Sequence, residues 1–181
     1  GRIFPMTGLL LETPLINKNN DITITSKLSL IFNSSQTSSN KVSNEESTNN
    51  SYSLLNSGTL NRYTGTDKLD NSKRINYGFN VSKNLLRFSL AQSYEFDANS
   101  SYNKDLGLKD YMSDLLGNTN YDGLNNDFNH DVRFNVDQGL INSQKISFKN
   151  TGKIGESNIT YSQERIENNS ILENGNETLD L

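Results

Sequence analysis

The chain of 181 residues contains no cysteine, which excludes a disulfide staple and a thiolate metal site within it. Apolar residues are also scarce: 32% are hydrophobic and mean hydropathy is -0.70, too little to fill the dry core of an ordinary domain of this size. No run approaches the roughly 18 consecutive apolar residues of a spanning helix, so a helical membrane protein is excluded, whereas a membrane barrel, with its weak signal per strand, stays open. Charge of one sign is missing too. The net charge of -4 comes from 17 basic and 21 acidic residues scattered through the chain, with no basic stripe to neutralise a phosphate backbone, so nucleic acid is not an expected partner. The single histidine, His130, has no partners at the spacing of a triad or a zinc site. Asp122, Gly123, Asn125, Asn126 and Asp127 lack the spaced Asp and closing Glu of a calcium loop and read as a turn. No catalytic residue, metal ligand or cofactor is therefore expected. The first residues lack a charged start with an apolar run behind it, position 1 is not Met, and Glu177 to Leu181 resemble the opening of another strand. An internal piece of a longer protein is the expectation.

What the chain does have is alternation. Ile22, Ile24, Leu28, Leu30 and Phe32 recur at even positions, with Thr23, Thr25, Lys27 and Ser29 between them. The pattern returns in Ile75, Tyr77, Phe79 and Val81, in Leu86, Phe88, Leu90, Tyr94 and Phe96, and in Phe128, Val132, Phe134 and Val136, where His130 falls in phase with the apolar set. Side chains alternate across a strand, so each segment has one apolar and one strongly polar face. Strands are expected over 2–15, 22–32, 73–82, 86–97, 113–122, 127–137, 140–149 and 157–166. Pro5 and Pro14 sit near the ends of the first, where a missing N–H does least harm.

The connections fall into two classes. Short ones are expected near 17–21, 83–84, 122–126 and 151–156, and longer ones near 33–71, 98–112 and 167–176, with only 137–139 breaking the pattern. Short turns on one rim and long polar loops on the other describe an all-β, antiparallel up-and-down transmembrane β-barrel. Here it is a partial, unclosed segment of about eight or nine strands within one domain, 1–181, its long loops 33–71 and 98–112 extracellular. Tyr63, Tyr77, Tyr94, Phe96, Tyr102, Tyr111 and Tyr121 fall mostly near strand ends, as an interfacial aromatic girdle requires. Alternation alone does not decide, because a soluble β-sandwich gives the same period; strand length and loop asymmetry favour the barrel.

Leu60-Asn61-Arg62-Tyr63-Thr64-Gly65-Thr66-Asp67, followed by Arg74-Ile75-Asn76-Tyr77-Gly78, resembles a signature of the lipopolysaccharide-assembly outer-membrane protein LptD, also called OstA or the organic solvent tolerance protein. The family pattern reads N-R-F-S-G-x-D-R, a short gap, then R-x-N-Y-G. Ala91-Gln92-Ser93-Tyr94 is similar to its G-Q-S-Y strand, and Gly107-Leu108-Lys109-Asp110 with Ser113, Asp114 and Gly117 to its G-L-x-D-R-x-S-D-x-x-G segment. Three matches in order cover Leu60 to Gly117; the flanking strands match in pattern only. Lys68 and Tyr111 replace arginines of the family pattern, and Asn71 to Lys73 replace its Gly-rich gap, so any ion pair made by the second arginine in relatives is in doubt here.

The resemblance implies a large barrel in the outer membrane of a Gram-negative bacterium. Such a barrel receives lipopolysaccharide from a periplasmic LptA-like bridge, holds an LptE-like lipoprotein plug in its lumen and inserts its cargo into the outer leaflet. It is a transporter in outer-membrane lipid, not an enzyme. Its polar face would line a hydrated lumen through Thr23, Lys27, Arg74, Asn76, Asn80, Arg87, Ser89, Glu95, Asp131, Arg133, Asn135 and Asp137. In the Asn61 to Asp67 motif, Arg62 is placed to pair with Asp67 and Gly65 to permit the bend, giving a loop packed at the rim or folded into the lumen. Two rival readings remain: another outer-membrane, porin-like channel, and a secreted β-sandwich adhesin.

Overall fold

The computed structural model describes residues 5–33, 52–63, 70–98, 107–108, 111–152, 155–168, 171–173 and 177–180. They contain strands β1 (Met6–Asn17), β2 (Ile22–Asn33), β3 (Lys73–Lys83), β4 (Leu86–Glu95), β5 (Leu115–Asp122), β6 (Asn126–Asn135), β7 (Leu140–Gly152), β8 (Gly155–Glu164), β9 (Ile166–Asn168), β10 (Ile171–Glu173) and β11 (Glu177–Asp180). β1 to β8 lie side by side in chain order, each antiparallel to the next, and β11 adds to β8, giving one nine-stranded sheet. β9 and β10 pair separately as a small hairpin within what the sequence pattern reads as the loop 167–176. The sheet is all-β, up-and-down and unclosed: among the described residues β1 and β11 are its edges.

The short connections form because the residues at the bends tolerate them. Asp21 and Asn84 adopt φ of 49° and 51°, a region open to Asp and Asn because their short polar side chains bond locally. The β3–β4 bend is made by Asn84 and Leu85, with Lys83 paired to Leu86, one residue further along than the expected 83–84 turn. At the other rim, Gly139, at φ 69°, helps close the one short connection, from β6 to β7.

Register sorts the side chains. Leu30, Ile75 and Tyr94 are laterally aligned, as are Ser26, Phe79 and Leu90, then Gly117 and Val132, placing the apolar positions on one face. Ile31, Arg74 and Glu95 align on the other, as do Ser29, Asn76 and Ser93. Burial then runs opposite to that of a soluble protein. Arg74 is completely buried, and Ser29, Asn76, Ser93, Glu95, Arg133 and Asn135 are buried on the same polar face. On the apolar face Phe79 keeps 37% of its surface exposed, and Leu28, Phe88, Phe148 and Ile159 are similarly open. Every substantial contact between described strands is with a lateral neighbour, so none of them packs face to face on that apolar surface.

Candidate functional site

The polar face is covered by the chain's own loops. Residues 52–63, between β2 and β3, form a strap across it. The strap begins as a compact turn in which the Ser53 amide donates to Asn56 Oδ1 at 2.9 Å and the Ser57 amide to the Ser53 carbonyl at 2.9 Å. It passes Gly8, where a Cβ would lie 2.8 Å from Leu60 Cδ2. Asn61 Oδ1 then accepts from the amides of Tyr63 (3.3 Å) and Asp70 (2.9 Å), clipping the two sides of the loop together. Asn33, the last residue of β2, donates through Nδ2 to the carbonyls of Leu60 (3.2 Å) and Asp70 (2.5 Å).

A buried ionic cluster centred on Asp70 anchors this strap. Arg62 Nε donates to Asp70 Oδ2 at 2.7 Å, and Arg62 Nη2 donates to Glu95 Oε1 at 2.5 Å. Arg74 Nη1 donates to Asp70 Oδ2 at 2.7 Å and also to Ser72 Oγ, while its Nη2 donates to the Thr59 carbonyl. Among the described residues two guanidiniums thus face two carboxylates, and the side chains of Arg74 and Asp70 have 0% exposure. Desolvating charge costs several kcal/mol per ion, on the order of what their mutual attraction returns, so such a cluster specifies geometry more than it adds net stability. Arg62 engages Asp70 and Glu95; Asp67, its expected partner, lies outside the described residues.

A second centre ties down the β4–β5 connection. The Asp114 amide donates to the Gly107 carbonyl at 2.9 Å, Asn142 Nδ2 donates to Asp114 Oδ2 at 2.7 Å, and Arg133 Nε stands 3.4 Å from the same oxygen. Gly107 has φ 83°, and a Cβ there would come within 2.7 Å of Arg133 Cδ, so both backbone and space demand glycine. The Ser93 amide donates to Ser113 Oγ, and Gln92 Nε2 to the Ser113 carbonyl, fixing the loop to β4. Tyr52, Leu108 and Leu116, with Leu54 beside them, form a small apolar cluster where the two loops meet. Burial pushes the Tyr52 hydroxyl pKa up, while nearby Ser113, Arg62, Arg74 and Ser93 pull it partly back.

Of the motif residues, the structure brings Asn61, Arg62, Arg74, Gly107, Leu108, Ser113 and Asp114 into these two anchors. Asn76 joins the polar face beside Ser29, to whose Oγ it donates at 2.8 Å. Gly78 lies against β4, where a Cβ would collide with the Leu90 carbonyl oxygen. Ser93 is buried beneath the strap. Tyr77, Gln92, Tyr94 and Gly117 belong to the apolar side: Tyr77 donates to Gln92 Oε1 at 2.7 Å, and Tyr94 meets Phe96 edge-on at 5.9 Å. Tyr63 sits where the strap leaves the sheet, half-buried. Gly65, Asp67 and Asp110 lie outside the described residues. Asp70 and Tyr52 carried no sequence signal, since both sit in loops without period; Glu95 and Arg133 were legible only as polar-face residues.

The strap leaves a groove on either side. One, of about 440 Å³, is bounded by Tyr52, Leu54, Asp131, Arg133, Lys145 and Glu164. The other, of about 370 Å³, runs along Leu10, Lys27, Leu55, Asn76, Asn80 and Ser89. Among the described residues no three His, Cys, Asp or Glu side chains are grouped to hold a metal ion, and no helix is long and apolar enough to cross a membrane. No family model and no curated protein matches the chain.

Proposed function

We propose that this chain is part of an LptD-like barrel of the bacterial outer membrane, whose polar face lines a hydrated path for lipopolysaccharide and whose apolar face meets hydrocarbon. The observation that carries the reading is the inversion of burial. Charged side chains such as Arg74, Asp70 and Arg133 are enclosed, while Leu28, Phe79, Phe88, Phe148 and Ile159 are left open. Fully burying such an apolar side chain is worth about 1.5–3 kcal/mol, so water is a poor solvent for a whole face of them and lipid a good one. Supporting this, Phe32 stacks on Phe96 with centroids 6.4 Å apart, and Tyr94 stands against Phe96, an aromatic patch on the apolar side at the long-loop rim.

Export of this kind makes and breaks no covalent bond. It needs an amphiphile's sugars and phosphates kept in water while its acyl chains stay in lipid, which two faces of opposite character provide. An LptE-like plug and an LptA-like bridge are the partners implied by the motif resemblance. The test is to deplete the full-length protein and complement it with the gene carrying or lacking residues 60–78, measuring lipopolysaccharide at the cell surface. Loss of surface lipopolysaccharide on depletion, restored only by the intact gene, is expected. Unchanged surface lipopolysaccharide with altered small-ion conductance would instead identify a porin-like channel, and solubility without detergent an adhesin.

A further inference from the structure

We infer that residues 52–63 are a releasable strap, latched across the polar face by the Asp70 cluster and lifted from it when a bulky polar molecule passes. The inference deepens the reading of this face as a hydrated lumen and regulates access to it; it rests on that reading and not on which cargo is carried.

Among the described residues the strap's apolar anchorage is small: Tyr52 and Leu54 meet Leu108 and Leu116, and Leu60 approaches Gly8 but stays 45% exposed, while Leu55 is 92% exposed. The rest is polar. Arg62 reaches Asp70 and Glu95, Arg74 holds the Thr59 carbonyl, and Asn33 holds the Leu60 carbonyl. A segment held by apolar burial gives up that burial whenever it lifts into water. A segment held by ion pairs exchanges them for hydration, because each freed charge is resolvated in a wet lumen. The latch is therefore specific in position and shallow in depth.

Location supports the same conclusion. The strap stands between the two grooves, so lifting it merges them into one wider passage along the polar face. Its anchors, Arg74 at the start of β3 and Glu95 at the end of β4, are neighbours in register and belong to the sheet, which stays in place when the loop moves. Beneath it, Ser93 is buried on the polar face, its hydroxyl close to that of Tyr52 in the strap. Ser93 offers a near-isosteric reporter: a thiol there, beside Ser113 of the β4–β5 loop and under Tyr52 of the strap, becomes more reachable when the strap is up.

The experiment uses the full-length protein in its native membrane, carrying Ser93→Cys, and follows reaction with a small membrane-impermeant maleimide. Slow labelling is expected from the otherwise unaltered protein. Glu95→Gln, which weakens the latch at one carboxylate, should raise the rate about tenfold, equivalent to about 1.4 kcal/mol in the open-to-closed equilibrium. An oxidised Gly8→Cys/Leu60→Cys pair should suppress labelling at position 93, read by mass mapping of the modified peptide because the reduced pair carries thiols of its own, and reduction followed by removal of the reductant should restore it; this reversal within one folded sample guards against misfolding of the Glu95 variant. A rate unmoved by the tether and its reduction overturns the strap, as does a Ser93→Cys thiol that reacts as fast as an exposed one. Failure of the lumen reading shows separately: Phe79→Cys should resist the same reagent in the membrane, and rapid labelling there removes the hydrated-lumen premise without touching the strap result.

Discussion

Arg62 Nη2 lies 2.5 Å from Glu95 Oε1, and both side chains are 3% exposed, so a residue of a long loop and the last residue of β4 share one buried charge pair. Removing one partner of such a pair leaves the other enclosed and uncompensated. Arg62→Leu should therefore destabilise the strap-closed fold by more than the ~0–1 kcal/mol of breaking the exposed pair of Lys73 with Asp97 by Lys73→Ala, but by less than the about 3–5 kcal/mol of a rigidly enclosed charge, because lifting the strap hydrates Glu95. Denaturant midpoints in detergent compare the two. Equal shifts for both variants would show that the Asp70 cluster is not desolvated.

Gly107 and Gly139 both have positive φ, yet they differ in surroundings. A Cβ at Gly107 meets Arg133 Cδ at 2.7 Å, whereas one at Gly139 has nothing within 4 Å. Gly107→Ala should cost about 1–3 kcal/mol and loosen the β4–β5 loop, while Gly139→Asn, a residue that tolerates the left-handed region, should be nearly neutral. Thermal unfolding of the two variants, side by side, decides it.

The two faces should respond oppositely to charge. Phe79→Arg places a guanidinium on the apolar face and should cost about 2–4 kcal/mol if it lies near the bilayer midplane, while Asn80→Arg, one residue on and facing the polar side, should fold with little loss. Folding into lipid vesicles, read by heat-modifiable migration on gels, measures both. A tolerated Phe79→Arg would contradict the membrane reading.

Tyr52 makes the strap sensitive to alkali. Its folded-state pKa is raised, mainly by burial, above the ordinary value of 10.0 that it regains on release. The neutral phenol's contribution is thus fully present below about pH 10 and is lost as pH rises through the folded pKa, because the unfolded form ionises first. Strap release, followed by Ser93→Cys labelling, should accelerate above that pH. Tyr52→Phe, which keeps the ring and removes the ionisable hydroxyl, should abolish the alkaline step.

Strand order, the short turns and the division of each strand into two faces were readable from residue types, because a period of two needs only local geometry. Phe79, Leu90 and Val132 fell on one side and Arg74, Glu95 and Arg133 on the other, as alternation requires. Asn84 was readable as the bend residue for the same local reason. The pairing of Arg62 with Asp70 and Glu95 was not, because the return of the loop onto the sheet brings them together; Asp67, the partner expected from sequence, lies outside the described residues. Nor was the hairpin of β9 and β10 apparent in a stretch that reads as a polar loop.

Alternation by itself determined that β2 to β8 each carry an apolar and a polar flank, since the pleat allows no other arrangement of such a sequence; the apolar run of β1 faces both ways. Which flank is enclosed was decided only by tertiary structure. Loop closure brings Tyr52, Arg62, Asp70 and Leu108 over the polar side, and that long-range placement is written in no local period.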